Sequence, residues 1–219
     1  MKRMSTSYEE VKSLIRNLKS NPITPSEYAT LIADLEKEIA KEVLASDTSI
    51  ENFSFYQNAY SRVSDLRTHL QSKRLLMIGS GPLPATLFYA SQHCLTESCL
   101  GIDSDFEAIG LASQLVGKLK IRNVSFKHVD GRDFNYSDFD AVFVANLVKG
   151  KVEILNKLEA ELPYNATVIL RDPWGVGRDI AESARETLGP SWIVNGEGEK
   201  CSNFFSQNFF LQLKREQKD

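Results

Sequence analysis

The stretch "LLMIGSGPLPATLFYASQ", residues 75–92, constrains this chain more than any other. An apolar run ends in Gly79-Ser80-Gly81, two prolines follow at Pro82 and Pro84, and a helical pattern begins. Strand, glycine turn and helix start form the first crossover of a nucleotide-binding α/β sheet. Glycine there permits a tight turn and close backbone approach to a ligand, and the helix N-terminus offers unpaired N–H donors.

The rest of the sequence sorts around that crossover. After Ser72, short β-rich runs alternate with helical segments. The strands read "RLLMIG", "SCLGID", "VSFKHVD", "DAVFVAN", "TVILRD", "WIVNGEG" and "FFLQLKR", and helices are predicted over 84–94, 105–120, 150–162 and 178–188. Ser104 and Glu107 are the expected cap of the second helix. Strands joined by helices of this length imply right-handed crossovers and a mostly parallel sheet covered on both faces. The last two runs have only "EGEKCSN" between them, which predicts an antiparallel hairpin at the sheet edge. The expected fold class is therefore α/β, a methyltransferase-type Rossmann fold with a mostly parallel seven-stranded sheet.

Before Ser72 no strand pattern is present, and a small helical domain or lid is expected over 1–72, followed by the Rossmann-like domain over 73–219. Ser7 and Glu10 form a capping box ahead of the stripe Val11, Leu14, Ile15 and Leu18. Thr24-Pro25-Ser26-Glu27 starts a second helix whose stripe is Tyr28, Leu31, Ile32, Leu35, Ile39 and Val43. A third helix is predicted from about Ile50 to Leu70.

Two acids extend the ligand signal. Asp103 ends the second strand about 20 residues beyond the turn, where an acid can accept ribose hydroxyls. Asp130 ends the third strand, where a carboxylate can accept an adenine amino proton. The plainer alternative is that both acids cap loops. A pyrophosphate needs donors from the helix start, and Pro82 and Pro84 supply none. The turn therefore suits an adenosine ligand without phosphates, which favours S-adenosylmethionine (SAM) over NAD. Met77 stands where SAM methyltransferases often carry an acid, so the amino-acid end of such a ligand must be held differently.

Composition narrows the partners. With 42 % apolar and 25 % charged residues and a net charge of −3, the chain reads as globular, and without a basic run no nucleic-acid partner is expected. No apolar stretch is long enough to cross a bilayer, and "MKRMSTSYEEVK" has no signal-peptide core, so a cytoplasmic setting and no membrane partner are expected. The odd count of Cys94, Cys99 and Cys201 fits a reducing compartment. His93-Cys94 with Cys99 lacks a second ligand pair, so no metal site is expected and the thiols read as apolar fillers. A homodimer is left open.

Longer motifs carry a resemblance. "MIGSGPLPAT" with "GID", then "FKHVDGRDF", "FDAVFVANLVKGK" and "ATVILRDPWGVGR", resemble nicotianamine synthase and its bacterial relatives that make opine-type metallophores. The aromatic helix "FSFYQNAYSRVSDLRTHL" is similar to the end of that family's helical domain. The resemblance covers roughly residues 50–180, and the chain is short for the family.

The resemblance implies transfer of the 3-amino-3-carboxypropyl (aminobutanoyl) arm of SAM, rather than its methyl, to the amine of an amino acid or related acceptor. Methylthioadenosine is released. The acceptor implied is histidine or another amino acid, or repeated use of SAM itself. The cofactor set implied is Gly79, Ser80, Gly81, Pro82, Asp103, Asp130 and Asn146.

The family's base is a glutamate on the helix before the core, aided by a tyrosine. The stretch from Tyr60 to Arg67 has no glutamate, and Asp65 is its nearest acid. Asp65 and Tyr89 are the candidate catalytic pair, with Tyr56, Tyr60, Arg171 and Arg178 as substrate contacts. The plainer alternatives are a solvated charge for Asp65, packing aromatics for the tyrosines and surface ion pairs for the arginines. "ANLVKG" after the fourth strand lacks the proline-aromatic motif of amino-methyltransferases, which weakens the alternative of a small-molecule methyltransferase. A SAM-binding module without catalysis is the third reading.

Overall fold

The structure, a computed structural model, describes residues 24–47, 63–71, 73–198, 200 and 206–214. The helix expected over 7–18, most of the one expected over 50–70, Tyr56, Tyr60 and Cys201 lie outside the described residues.

Seven strands, β1 (Arg74–Ile78), β2 (Ser98–Asp103), β3 (Val124–His128), β4 (Ala141–Val144), β5 (Thr167–Pro173), β6 (Trp192–Glu197) and β7 (Ser206–Leu213), form one sheet in the order β3-β2-β1-β4-β5-β7-β6. β1 to β5 are parallel; β7 runs antiparallel to β5 and to the edge strand β6. The sheet and its edge hairpin follow the pattern expected from the sequence. The strand order reverses between β1 and β4, which opens a crevice at their carboxyl ends.

Strand alternation sets the two faces. Leu76, Ile78, Val142, Val144 and Val168 point into one buried layer with Ile154, Leu155 and Leu158 of helix α4 (Lys151–Glu161). Leu75, Met77, Phe143 and Ile169 point to the other, against Leu87 and Ala90 of helix α2 (Ala85–His93) and Val63, Leu66 and Leu70. Helix α3 (Phe106–Leu119) contacts β2 and β3.

Helix α1 (Pro25–Ala45) begins at the expected capping box: Glu27 N donates to Thr24 Oγ1 at 3.2 Å and Thr24 N to Glu27 Oε2 at 2.7 Å. Its apolar stripe is buried with Leu83, Phe88, Leu111 and Leu115 in one cluster, so the helix packs over the first crossover. Lys37 ties it to the start of α3 by ion pairs to Asp105 at 2.7 Å and Glu107 at 3.1 Å.

Three local expectations are corrected. The cap of α3 is Asp105, whose Oδ1 accepts from Glu107 N at 2.9 Å and Ala108 N at 3.2 Å; Ser104 instead offers its carbonyl to His128. The described end of the helix predicted to Leu70 is a 3-10 turn over Ser64–Thr68. No α-helix forms over 178–188, where two short 3-10 turns stand at Gly175–Asp179 and Arg185–Thr187. The reason is buried Asp172. It accepts from Ala184 N at 3.0 Å, Arg185 N at 3.2 Å and Ser183 Oγ at 2.6 Å, while Lys151 Nζ donates to the Glu182 carbonyl at 2.6 Å. Backbone groups that a helix would pair locally are committed to that ion pair.

Candidate active site

The glycine turn is held by β2. Gly79 N and Ser80 N both donate to the Ile102 carbonyl, at 2.9 and 3.0 Å, and Gly81 N donates to Asp103 Oδ2 at 2.9 Å. Gly79 and Gly81 have φ of +74° and +65°, where a β-carbon is strained, and one at Gly79 would lie 2.5 Å from Val148 Cγ2. The turn is thus built so that its backbone faces the crevice.

Two neighbouring cavities open there. The larger, about 360 Å³, is lined by Gly79, Gly81 and Pro82 with Asp103, Asp130 and Arg132. Its volume falls in the range of small-molecule sites, about 300–1,000 Å³. The smaller, about 130 Å³, is lined by Tyr28, Met77, Ser80, Asn146, Arg171 and Ser206. Glu36 and Gly79 line both.

Asp103 accepts a second backbone N–H, from Asp105 at 2.9 Å, and burial raises its pKa. A donor of hydroxyl protons would stabilise its charged form. Asp130 Oδ1 accepts from Arg132 N and Nε at 2.9 and 3.0 Å, and Oδ2 from Arg132 Nη2 at 2.7 Å. The guanidinium beside it pulls the carboxyl down to about 2. Buried Tyr136 fastens this turn by donating its hydroxyl to the Gly131 carbonyl.

In the smaller cavity the Ser80 hydroxyl and Asn146 Oδ1 are buried with no hydrogen-bond partner among the described residues. Buried polar atoms in that condition cost free energy unless a ligand pairs with them. Met77 presents a thioether there instead of an acid, so the polar lining is that of Ser80, Asn146 and Arg171 with Glu36 reaching in from α1.

The structure gathers Gly79, Ser80, Gly81, Pro82, Asp103, Asp130, Asn146 and Arg171 around the two cavities. Asp65, Tyr89 and Arg178 are not among the described residues that line them. Asp65 sits on the 3-10 turn within reach of Asn208. The Tyr89 ring tilts against His93 at 4.8 Å. Arg178 pairs with Glu186 at 2.8 Å. Cys94 and Cys99 are buried, and burial pushes both thiols up to about 11.

The residues missed from sequence are Glu36, Tyr28, Arg132 and Ser206. Tyr28, Ile32 and Glu36 recur every four residues on one face of α1, so Glu36 is an acid set within the apolar stripe. Its Oε2 stands 3.0 Å from where a Gly81 β-carbon would be. An acid on a buried helix face was the available signal.

A sheet of this order, with a ligand-sized crevice at the carboxyl ends of β1, β2 and β4, defines a Rossmann fold of the methyltransferase type. A model of the nicotianamine synthase protein family matches residues 4–187. The chain belongs to the nicotianamine synthase family. It is 29 % identical over 161 residues to nicotianamine synthase of Solanum lycopersicum, a match covering 64 % of this chain and 50 % of the tomato protein. The chain thus spans about half the length of that relative.

Among solved structures it resembles MtNAS in complex with MTA and tNA, with a TM-score of 0.77 and 19 % identity over 95 % of this chain and 82 % of the other. A glutamate-to-glutamine mutant of MtNAS in complex with S-adenosylmethionine gives 0.76 and 18 % over 94 % and 83 %. A SAM-dependent methyltransferase from Aquifex aeolicus gives 0.58 and 17 % over 81 % and 98 %. At these identities the likeness to solved structures is one of fold.

Proposed function

We infer that this protein transfers the aminobutanoyl arm of SAM to the amine of an amino acid or related acceptor, as nicotianamine-like and opine metallophore synthesis requires. The observation that carries the reading is Glu36, a carboxylate shared by a nucleoside-sized cavity and a smaller polar one. The lining of the larger cavity sets Glu36, Asp103, Asp105 and Asp130 against Arg132 and Lys149, an excess of acid that suits a cationic nucleoside better than an anionic pyrophosphate. The orphaned Ser80 hydroxyl and Asn146 Oδ1 suit an amino-acid end. When bound, SAM supplies a sulfonium whose γ-carbon is open to displacement by an amine, with methylthioadenosine as the leaving group.

The chain's own residues then have distinct tasks. Asp103 accepts ribose hydroxyls, and Gly79 and Gly81 let the nucleoside lie against the backbone. Arg171 holds a carboxylate, for which a guanidinium fork is matched in shape and charge. Glu36 takes the proton that an attacking amine must lose. It replaces Asp65 as the base we favour, because it lines the cavities. The buried Tyr28 ring, two turns earlier on the same face, takes the place given to Tyr89 as the neighbouring aromatic.

Incubation with SAM and a panel of amino acids, read by mass spectrometry, tests the reading. Methylthioadenosine with an acceptor heavier by one aminobutanoyl unit is the expected result. S-adenosylhomocysteine would replace the reading with methyl transfer, and SAM binding without turnover would reduce the protein to a binding module.

A further inference from the structure

Arg171 on β5 lies directly opposite Asn208 on β7 in the antiparallel register. Arg171 Nε donates to Asn208 Oδ1 at 3.0 Å, and the guanidinium carbon lies 4.7 Å from the Phe143 ring centroid. Asn208 Nδ2 donates in turn to Asp65 Oδ1 at 3.4 Å, across 143 residues of chain. Asn208 is only 3 % exposed. Gly198 N donates to the Asn208 carbonyl at 2.8 Å, and a β-carbon on Gly198 would collide with the Asp65 carboxylate, so glycine there admits the close approach.

The order of this chain of bonds is forced. A guanidinium has only donors and a carboxylate only acceptors, so an amide between them must turn its oxygen to the arginine and its nitrogen to the acid. The consequence is physical. A direct acid partner would occupy the guanidinium fork that a ligand carboxylate uses. An acid one amide away still offsets the partly buried positive charge, and the amide between them bonds Arg171 through Nε. The pKa of Asp65 is raised, by burial above all, against the Asn208 hydrogen bond and the nearby Arg171 charge, which both favour its ionised form.

We propose that Asn208 and Asp65 are positioning residues: they fix the Arg171 guanidinium so that it receives the α-carboxylate of SAM, and so set affinity for ligands that carry that group. This role rests on the reading above, in which the smaller cavity takes the amino-acid end of SAM. Neither residue touches the reacting atoms. Asp65 thereby has a role distinct from that of a base.

The test compares calorimetric binding of SAM and of methylthioadenosine, which has the nucleoside and sulfur but no amino-acid end, by the full-length chain. Asn208→Leu and Asp65→Asn are each expected to weaken SAM by about tenfold, the scale of one hydrogen bond to a charged group, while methylthioadenosine stays within about twofold. The exchange Asp65→Asn with Asn208→Asp puts a carboxylate directly on Arg171 and is expected to weaken SAM at least as much as either single variant, since that carboxylate competes with the ligand's for the guanidinium. Should Asn208→Leu not fold, as judged by circular dichroism, Asp65→Asn on the outer turn decides the matter. Unchanged SAM affinity in folded single variants, or an equal fall for both ligands, overturns the relay alone. A wild-type chain that binds methylthioadenosine but not SAM overturns the reading beneath it as well.

Discussion

Single residues at the crevice have opposite electrostatic tasks. Glu36 has to accept a proton, so Glu36→Gln should lower turnover by about 10²–10⁴-fold, the usual contribution of a positioned base, while weakening SAM by no more than about tenfold, the scale of one lost charge contact. Parallel calorimetry and product assays separate the two quantities, and undiminished turnover would remove Glu36 from the chemistry. Asp130 instead stays charged beside Arg132. Its carboxyl titrates at about 2 in the fold against an ordinary 3.8. A depressed folded pKa contributes stability that is present above the unfolded value and lost as pH falls toward the folded one. Denaturant titrations of wild type and Asp130→Asn should therefore run parallel above about pH 4 and converge between about pH 4 and 2. Asp103 and Asp130 were legible as crevice-lining acids because the first closes β2 and the second follows β3 by two residues, where it caps a 3-10 turn. Glu36 was not, because an acid on an amphipathic helix ordinarily faces solvent, and only the docking of α1 turns this one inward.

At the scale of elements, the buried Lys151–Asp172 pair decides the course of the chain after β5. The two side chains are 0 % and 1 % exposed and 3.3 Å apart, and together they bind the chain around residues 182–185. Lys151→Ala leaves Asp172 buried with two backbone N–H donors and the Ser183 hydroxyl but no countercharge, and should lower unfolding free energy by about 3 kcal/mol. Urea denaturation checks this, and a loss below about 1 kcal/mol would show that these uncharged donors suffice. The same pair explains why the helix predicted over 178–188 is absent. Periodicity reports local pairing, whereas this segment pairs with an acid and a lysine from two other elements. The strands were legible as short apolar runs, which a sheet covered on both faces requires, and the four helices outside that segment because the elements between those runs carry helical spacing.

For the whole molecule, the ligand should report on the assembled crevice, since α1, the glycine turn, β2, β4 and β5 all contribute to it. SAM at about 100 times its dissociation constant should stabilise the fold by about 2.7 kcal/mol, read as a rise in the thermal midpoint. A flat midpoint across that range would mean that these elements do not form one site for it. The sequence by itself determined the layer order: short apolar runs, glycine and proline placement and helical stripes are local signals, and each agrees with the sheet that forms. It also marked the strand-end acids, since strand ends fall on one edge of a parallel sheet. Only the tertiary structure decided which helix face closes the crevice, which acid enters it and which amide stands opposite Arg171. Those depend on contacts between residues far apart in the chain, and no local periodicity encodes the distance between them.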